Sequence, residues 1–418
     1  MESVSLYAGL PFIVVLLLIA IMPLACHRFW DNNRNKAIVI TLISLPMFIY
    51  LITTMPVELG HSIKDYASFI ILLASLFIIS GGILMTGDLQ ATPRVNTMFL
   101  LVGAVIANLI GTTGASMLLI RPMLRTNSER KRTGHIPVFF IFVVSNIGGC
   151  LTPLGDPPLF LGYLKGVPFK WTFGLLPEWL ITLAIVLTVF YVWDRIAYRK
   201  ERAAEIRRDI ALMQPLGFQG KINLLFLGGV IAAVSFQTPT PYREIIMILM
   251  TFLSLAFTRK ETRTDNNFTY HPINEVAIIF AGIFVTMVPL LLLLRLKGAE
   301  FGITEPWQFF WLTGGLSAFL DNAPTYLTFF SLAQSVTAAG PAGVPAIAGV
   351  QVDLLRAISC GAVFMGAMSY IGNGPNFMVK SIAEEQKVKV PHFFAYMAYS
   401  GLILLPIFAL ITVIFFIR

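Results

Sequence analysis

Apolar runs of about twenty residues, the length of helix needed to cross a hydrocarbon layer of roughly 30 Å, recur along this chain and constrain it more than any other feature. They cover 6–25, 37–55, 66–86, 136–163, 176–193, 222–236, 244–257, 275–294, 352–381 and 393–417. Backbone polar groups find no water in lipid, so a spanning run pairs its own N–H and C=O groups as an α-helix. The expected fold is therefore an all-α polytopic membrane protein. Only 12% of the 418 residues are charged and 56% are hydrophobic, where a soluble chain carries about 25% charged, so a cytosolic cofactor enzyme is excluded. A membrane β-barrel is excluded because its strands are short and alternating. The net charge of +8 needs an explanation other than nucleic acid, and Cys26, Cys150 and Cys360 lack the spacing of a metal site or a disulfide framework. With acidic Glu2 in place of a basic leader, the first run is expected to be a transmembrane helix rather than a cleaved signal.

Two further segments, 97–124 and 307–334, are apolar at both ends but interrupted by Gly111-Thr112-Thr113-Gly114-Ala115-Ser116 and by Leu320-Asp321-Asn322-Ala323-Pro324-Thr325. The bias of Lys and Arg toward cytoplasmic loops decides whether they cross or turn back. If both are re-entrant hairpins, loops 26–36, 87–96, 121–135, 194–221, 258–272 and 384–391 share one face and carry 21 Lys and Arg, against 7 on the other with Arg418 included. If 97–124 crossed, the basic stretch from Arg121 to Arg132 would move to the wrong face. About ten full spans and two hairpins opening to opposite faces are thus expected in the inner (plasma) membrane, with both termini non-cytoplasmic. The positive charge then records topology beside anionic headgroups.

On that plan the chain divides into two inverted repeats. Residues 1–195 hold an inward hairpin (97–124) and a broken helix (136–163); residues 222–418 hold an outward hairpin (307–334) and a broken helix (352–381). Between them, 196–221 continues a basic stretch in which Arg199, Lys200, Arg202, Arg207 and Arg208 alternate with Ala203, Ile206, Ile210 and Leu212. Such spacing suits an amphipathic helix on the cytoplasmic surface, with a solvated linker as the alternative.

Nearly all acidic residues fall in loops or at span ends; Asp156 and Asp321 do not. Asp156 lies in a break where Pro153, Pro157 and Pro158 and Gly148, Gly149 and Gly155 oppose helix. Irregular backbone survives at membrane depth only where protein buries it or water reaches it, as between half-helices of a transport site. Asp321 occupies the outward hairpin tip. A carboxylate at the bilayer centre costs about 2.5–3.5 kcal/mol, so it calls for a function by default. The bland alternatives are that Asp321 caps the helix restarting at Pro324 and that Asp156 braces its break. The partner interruptions lack acids: the inward tip offers Thr112, Thr113 and Ser116, and the break at 369–376 offers Asn373 and Asn376.

Two carboxylates among amides and hydroxyls, with no buried cationic side chain, suit Na⁺ or Li⁺, and desolvated carboxylates also take protons. Asp156 and Asp321 are the expected Na⁺ ligands, with Asn146, Thr152, Asn322, Asn373 and Asn376 supplying oxygens or holding the site. Lys380 and Arg356 lie toward opposite ends of the 352–381 span, and Lys380 is expected to snorkel. His135, Glu178, Glu244 and Glu275 sit at span ends, with Glu275 a secondary candidate for a proton path. No P-loop and no nucleophile with its base is present, so neither ATP use nor an enzyme is indicated. No cofactor is expected beyond transported Na⁺ and H⁺.

These motifs resemble the ion-transporter superfamily of divalent-anion:sodium symporters, arsenite carriers, citrate carriers and NhaD-type sodium:proton antiporters, over nearly the whole chain. Gly148-Gly-Cys-Leu-Thr-Pro-Leu-Gly-Asp156 is similar to the antiporters' glycine-rich segment ending in Pro-x-Gly-Asp. Ser317-Ala-Phe-Leu-Asp-Asn-Ala-Pro324 is similar to their Ser-Ala-x-x-Asp-Asn-x-Pro hairpin. Thr152-Pro-Leu-Gly-Asp-Pro-Pro158 also resembles the anion symporters' break, with Asp156 in place of a neutral Thr. The resemblance implies a sodium:proton antiporter, a homodimer with a fixed scaffold and an elevator-like transport domain. The alternative is a sodium-coupled citrate or dicarboxylate symporter.

Overall fold

The structure is a computed structural model that describes residues 6–341 and 343–417; Glu2 and Arg418, used in the charge argument, lie outside them. Its helices are α1 (Leu10–Ala25), α2 (His27–Trp30), α3 (Asn33–Thr54), α4 (Pro56–Ser80), α5 (Pro93–Thr126), α6 (His135–Val143), α7 (Pro157–Leu164), α8 (Leu176–Arg199), α9 (Ala203–Leu212) and α10 (Ile222–Ser235). They continue with α11 (Tyr242–Phe257), α12 (Lys260–Asp265), α13 (His271–Thr286), α14 (Val288–Lys297), α15 (Pro306–Ser317), α16 (Asn322–Ala339), α17 (Val352–Met365), α18 (Gly374–Glu385) and α19 (Phe393–Ile411). Two small ribbons complete it: β1 (Leu84–Thr86) antiparallel to β2 (Gly217–Gln219), and β3 (Ala346–Ile347) antiparallel to β4 (Val350–Gln351). The chain is an all-α membrane protein.

Among the described residues, five helices are long and apolar enough to cross a membrane, or six if the pair α13 and α14, bent by 46°, is one span. Among the remaining runs, 136–163 and 352–381 are divided where Pro and Gly cluster, while 222–236 and 244–257 are the single short helices α10 and α11. The run at 66–86 is displaced from its helix, since α4 begins at Pro56 and ends at Ser80. Proline at the first helical position needs no intrahelical N–H partner, so the helix starts there and carries Glu58, Lys64 and Asp65 on its polar end.

One of the five does not cross. A straight helix of 34 residues would measure about 50 Å. Yet Asn96 and Asn127, at opposite ends of α5, exchange side-chain hydrogen bonds of 2.9 and 2.8 Å. The chain reverses at Gly111, where φ is 81° and ψ 154°, a conformation that side chains disfavour. In the second half, Phe309 of α15 and Phe329 of α16 stack edge to face at 6.3 Å, so those helices also fold back on one another.

All six basic loops gather at one end. His271 binds Asp31 O, Asn266 binds the carbonyls of Gly81 and Ile83, and Asp88 accepts the Gln214 N–H. Glu201 accepts the N–H groups of Lys131 and Arg132, and Arg121 reaches Glu385. In the stretch 196–221 the last turn of α8 runs to Arg199 and α9 follows as a separate short helix. It exposes Ile210, Leu212 and Met213, while Asp209 accepts the Ala91 N–H and Glu205 pairs with Lys131. An exposed apolar face beside anchored charge suits a helix lying on the membrane surface.

Charge burial corrects the sequence expectation twice. Besides Asp156, the acids Glu178, Asp194, Asp209 and Glu244 are buried, because helix ends are tucked beneath neighbouring loops. Buried cations also exist, but each is paired: Lys36 with Glu275 at 2.6 Å, Arg130 with Asp194 at 2.6 Å, and Arg243 with Glu244. Glu275 is therefore held at the basic end by a counter-ion. Lys380 pairs with Glu384 at 2.8 Å, toward its helix end, as snorkelling requires. Asp194 additionally meets His135 Nε2 at 2.9 Å and Asn96 Nδ2 at 2.9 Å, which ties α8 to the base of the α5 hairpin. Removing one partner of such a buried pair strands the other charge and costs about 3–5 kcal/mol. Asp194→Ala is expected to lower the unfolding free energy by that amount; a loss below about 1 kcal/mol in thermal unfolding of the purified protein would show that the network carries no load.

Candidate ion-binding site

Four interrupted helices meet at Asp156. After α6 ends at Val143, a 3-10 turn covers Ile147–Leu151, and the chain runs extended at Thr152 and Asp156 until Pro157 opens α7. The segment crosses itself so tightly that a Cβ on Gly155 would lie 2.2 Å from the Gly149 carbonyl oxygen. The second half repeats the path: α17, a 3-10 turn at Gly366–Met368, extended Ser369 and Asn373, then α18 with Pro375 in its first turn. There a Cβ on Gly372 would lie 2.6 Å from Gly366 O.

A hydroxyl staples each break to its hairpin. Thr152 Oγ1 donates to Asn108 O at 2.5 Å and accepts the Leu154 N–H at 3.2 Å. Ser369 Oγ donates to Ala318 O and accepts the Ile371 N–H at 3.2 Å. These matching bonds align the halves. Asp156 corresponds to Asn373, Thr112 to Asn322, and Gly111 to Asp321.

Asp156 is 1% exposed. Its Oδ1 accepts Thr112 Oγ1–H at 2.9 Å and Asn373 Nδ2–H at 3.0 Å; its Oδ2 accepts Asn322 Nδ2–H at 2.6 Å. One carboxylate thus collects a donor from the first hairpin tip, the second hairpin tip and the second break. A belt of amides surrounds it. Asn146 Nδ2 donates to Asn376 Oδ1 at 2.7 Å and to Ile141 O at 2.8 Å, and Asn373 Nδ2 also reaches Asn146 Oδ1 at 3.2 Å. Asn376 Nδ2 donates to Gly366 O and Ser369 O. An amide oxygen facing an ionised carboxylate would repel it, so Asn322 presents its nitrogen. Its Oδ1 is left buried without a hydrogen-bond partner.

The structure therefore brings together Asp156, Thr112, Asn146, Asn322, Asn373 and Asn376. Thr152 is engaged with the Asn108 carbonyl instead. Ser116 shares a 2.9 Å hydrogen bond with Ser145 further along the hairpin arm. Thr113 lines a cavity of about 60 Å³ with Gly111, Pro157, Leu73 and Ile273, between the hairpin tip and helices α4 and α13. Asp321 is half-buried and accepts the Ala323 N–H at 3.0 Å, so it caps α16; among the described residues no Lys or Arg pairs with it. Glu178, expected at an interface, is fully buried, with Arg356 Nη1 at 3.4 Å. Asn108 and Ser145 were missed: Asn108 is a lone polar residue in an apolar arm, which hydropathy alone treats as noise, and Ser145 stands beside the more conspicuous Asn146 at the start of the first break.

A family model described as "Putative citrate transport" matches residues 1–416. The chain belongs to that family. No curated protein matches it. Citrate-transport family membership, together with the apolar helices, makes this a multi-pass membrane transport protein.

The crossings distinguish neighbouring glycines of this family member. Gly155→Ala and Gly372→Ala force a Cβ into backbone and should lose about 3 kcal/mol or more. Gly374→Ala, with nothing within 4 Å of its Cβ, should stay within about 0.5 kcal/mol of wild type. Monodisperse yield and thermal midpoint in detergent report the difference, and equal behaviour of Gly372→Ala and Gly374→Ala would refute the crossing.

Proposed function

We propose that the chain exchanges Na⁺ or Li⁺ for protons, with Asp156 as the carboxylate that binds each in turn and Asp321 as a second carboxylate beside the same tip. One observation carries this reading: the partners of buried Asp156 are all neutral donors, whereas the buried bases Lys36, Arg130 and Arg243 are each paired with another acid. The centre keeps a net negative charge, which a small hard cation or a proton neutralises. Asp156 and Asn373 also stand at the N-terminal ends of α7 and α18, whose dipoles favour the ionised form between loads.

Cation entry needs oxygens where nitrogens now point. Rotating the Asn322 or Asn373 amide about its terminal torsion replaces a donor with an oxygen ligand. For Asn322 this forfeits nothing at Oδ1, which has no partner in its present setting. Thr112 Oγ1, Asn146 Oδ1 and Ser145 O are further neutral oxygens within the same network. A cation on the Asp156 oxygens excludes a proton from them, and that exclusion is the coupling step. Thr152 braces the break.

The stapled hairpins and breaks are suited to move together against α3, α4, α11 and α13, in the elevator-like alternating access of a homodimer that the resemblance implies. Inverted repeats 1–195 and 222–418 accord with the matching bonds of the two halves, and the basic end is the cytoplasmic one on this reading, both termini lying opposite. A sodium-coupled citrate symporter is the second reading, favoured by the family description; citrate would then require Na⁺ over the acids first.

Proteoliposomes carrying an internal pH dye separate the two. Na⁺ or Li⁺ pulses should move protons and K⁺ should not; citrate uptake that requires Na⁺, with no proton movement by Na⁺ alone, would sink the antiporter. Asp156→Asn should abolish proton movement. Asp321→Asn keeps a competent helix cap and should abolish it too, while retained transport would remove the Asp321 charge from the mechanism.

A further inference from the structure

A second cavity, of about 500 Å³, opens at the basic end, well away from the interrupted helices' meeting point. Arg132, Lys200 and Lys389 stand around it, and Trp193, Ile196 and Tyr399 form an apolar wall. The three bases are exposed, and no carboxylate forms an ion pair with any of them among the described residues. Their neighbours differ: Arg130 is paired with Asp194, Lys131 with Glu205 at 2.9 Å and Arg121 with Glu385 at 3.9 Å. Asp194, Glu205 and Glu385 are thus committed to bases just outside the cavity, and the bases on its rim are left over. Glu201, the nearest acid in sequence to Lys200, spends both oxygens on the Lys131 and Arg132 backbone N–H groups.

The shape is as telling as the charge. The floor is His135, held by Asp194, and Gly134, where a Cβ would lie 2.7 Å from the Lys389 carbonyl oxygen. That close approach brings the lead-in to α6 against the connection that follows α18. Trp193 is 37% and Ile196 51% exposed, on the stretch of α8 that leaves the membrane. A concave site with unpaired cations on its rim and a Trp and Tyr wall at the interface matches an anionic amphiphile.

We propose that this cavity binds the phosphate headgroup of an anionic phospholipid, with the acyl chains running along the Trp193 and Ile196 face of α8. The headgroup bridges three stretches: the approach to α6, the end of α8, and the 389–391 connection to α19. It therefore clamps segments from both halves of the chain across the surface that leads to both broken helices. The proposal depends on the membrane setting and not on which ion is carried.

The test uses the full-length protein in nanodiscs of phosphatidylcholine, with or without phosphatidylglycerol, read by thermal midpoint and by native mass spectrometry of co-retained lipid. Wild type should retain phosphatidylglycerol and unfold several degrees higher with it. Arg132→Gln/Lys200→Gln/Lys389→Gln should retain it about tenfold or more weakly and lose the rise, while matching wild type in phosphatidylcholine alone. Lys200→Gln, a single exposed change, should show the same loss at smaller amplitude. Arg259→Gln/Lys260→Gln, exposed bases elsewhere on this end, should respond as wild type does. Three results overturn the proposal: wild-type retention by the triple variant, an equal loss in the Arg259/Lys260 control, or the full rise produced by inorganic phosphate in phosphatidylcholine nanodiscs, which would make free phosphate the ligand.

Discussion

The carboxylate of Asp156 is the point on which the rest of the membrane interior depends. A buried charge is tolerated only when its hydrogen-bond capacity is met. Here Thr112, Asn322 and Asn373 meet it, one from each of the other three interruptions. No two of these residues are close in sequence. Holding them within about 3 Å of one carboxylate therefore fixes both hairpin tips and both breaks relative to each other, and the arms of α5, α15 and α16 follow.

The same economy accounts for the asparagines. Breaking a helix in lipid frees carbonyls and N–H groups that water cannot reach, and an amide side chain answers either kind. Asn108 shows this well. Its Oδ1 accepts the Leu151 N–H at 2.7 Å, and its backbone carbonyl accepts Thr152. Asn146 and Asn376 serve the carbonyls of Ile141, Gly366 and Ser369, and the Thr112 N–H at the first tip binds Gly155 O at 2.8 Å. These residues are framework and site at once, so a ligand that recruits one of them alters the backbone pairing of the break.

The class of fold was legible because lipid leaves a helix almost no alternative, and the two interrupted segments were legible because Gly, Pro and polar residues stand where apolar ones are needed. Asp156, Asn322 and Asn373 were conspicuous for the same reason. What the sequence concealed was pairing at a distance. Glu178 and Asp194 look like interfacial acids from their positions near helix ends, and only the tertiary fold places Arg356 and Arg130 against them. Lys36, Arg130 and Arg243 escaped as buried cations because hydropathy scores each residue without its partner. Thr152 was legible as polar, but its commitment to the Asn108 carbonyl depends on where the hairpin lies.

The two halves share a path but not a charge pattern, and the difference has a physical reason. Asp156 faces Asn373, its counterpart, through a 3.0 Å hydrogen bond. Were both carboxylates, they would repel at that distance unless they shared a proton. An amide in the second half converts the contact into an attraction and leaves one negative charge at the centre. The tips diverge in parallel. Gly111 turns the first with a positive φ of 81°, whereas Asp321, its counterpart, turns the second at φ −58° and caps α16. The acid of the second half is thereby moved from the meeting point to its edge, where it is half-buried and free of any counter-ion among the described residues. On the proposed antiport, one central carboxylate would be neutralised by one cation or one proton, and the second at the rim would attract whichever arrives next.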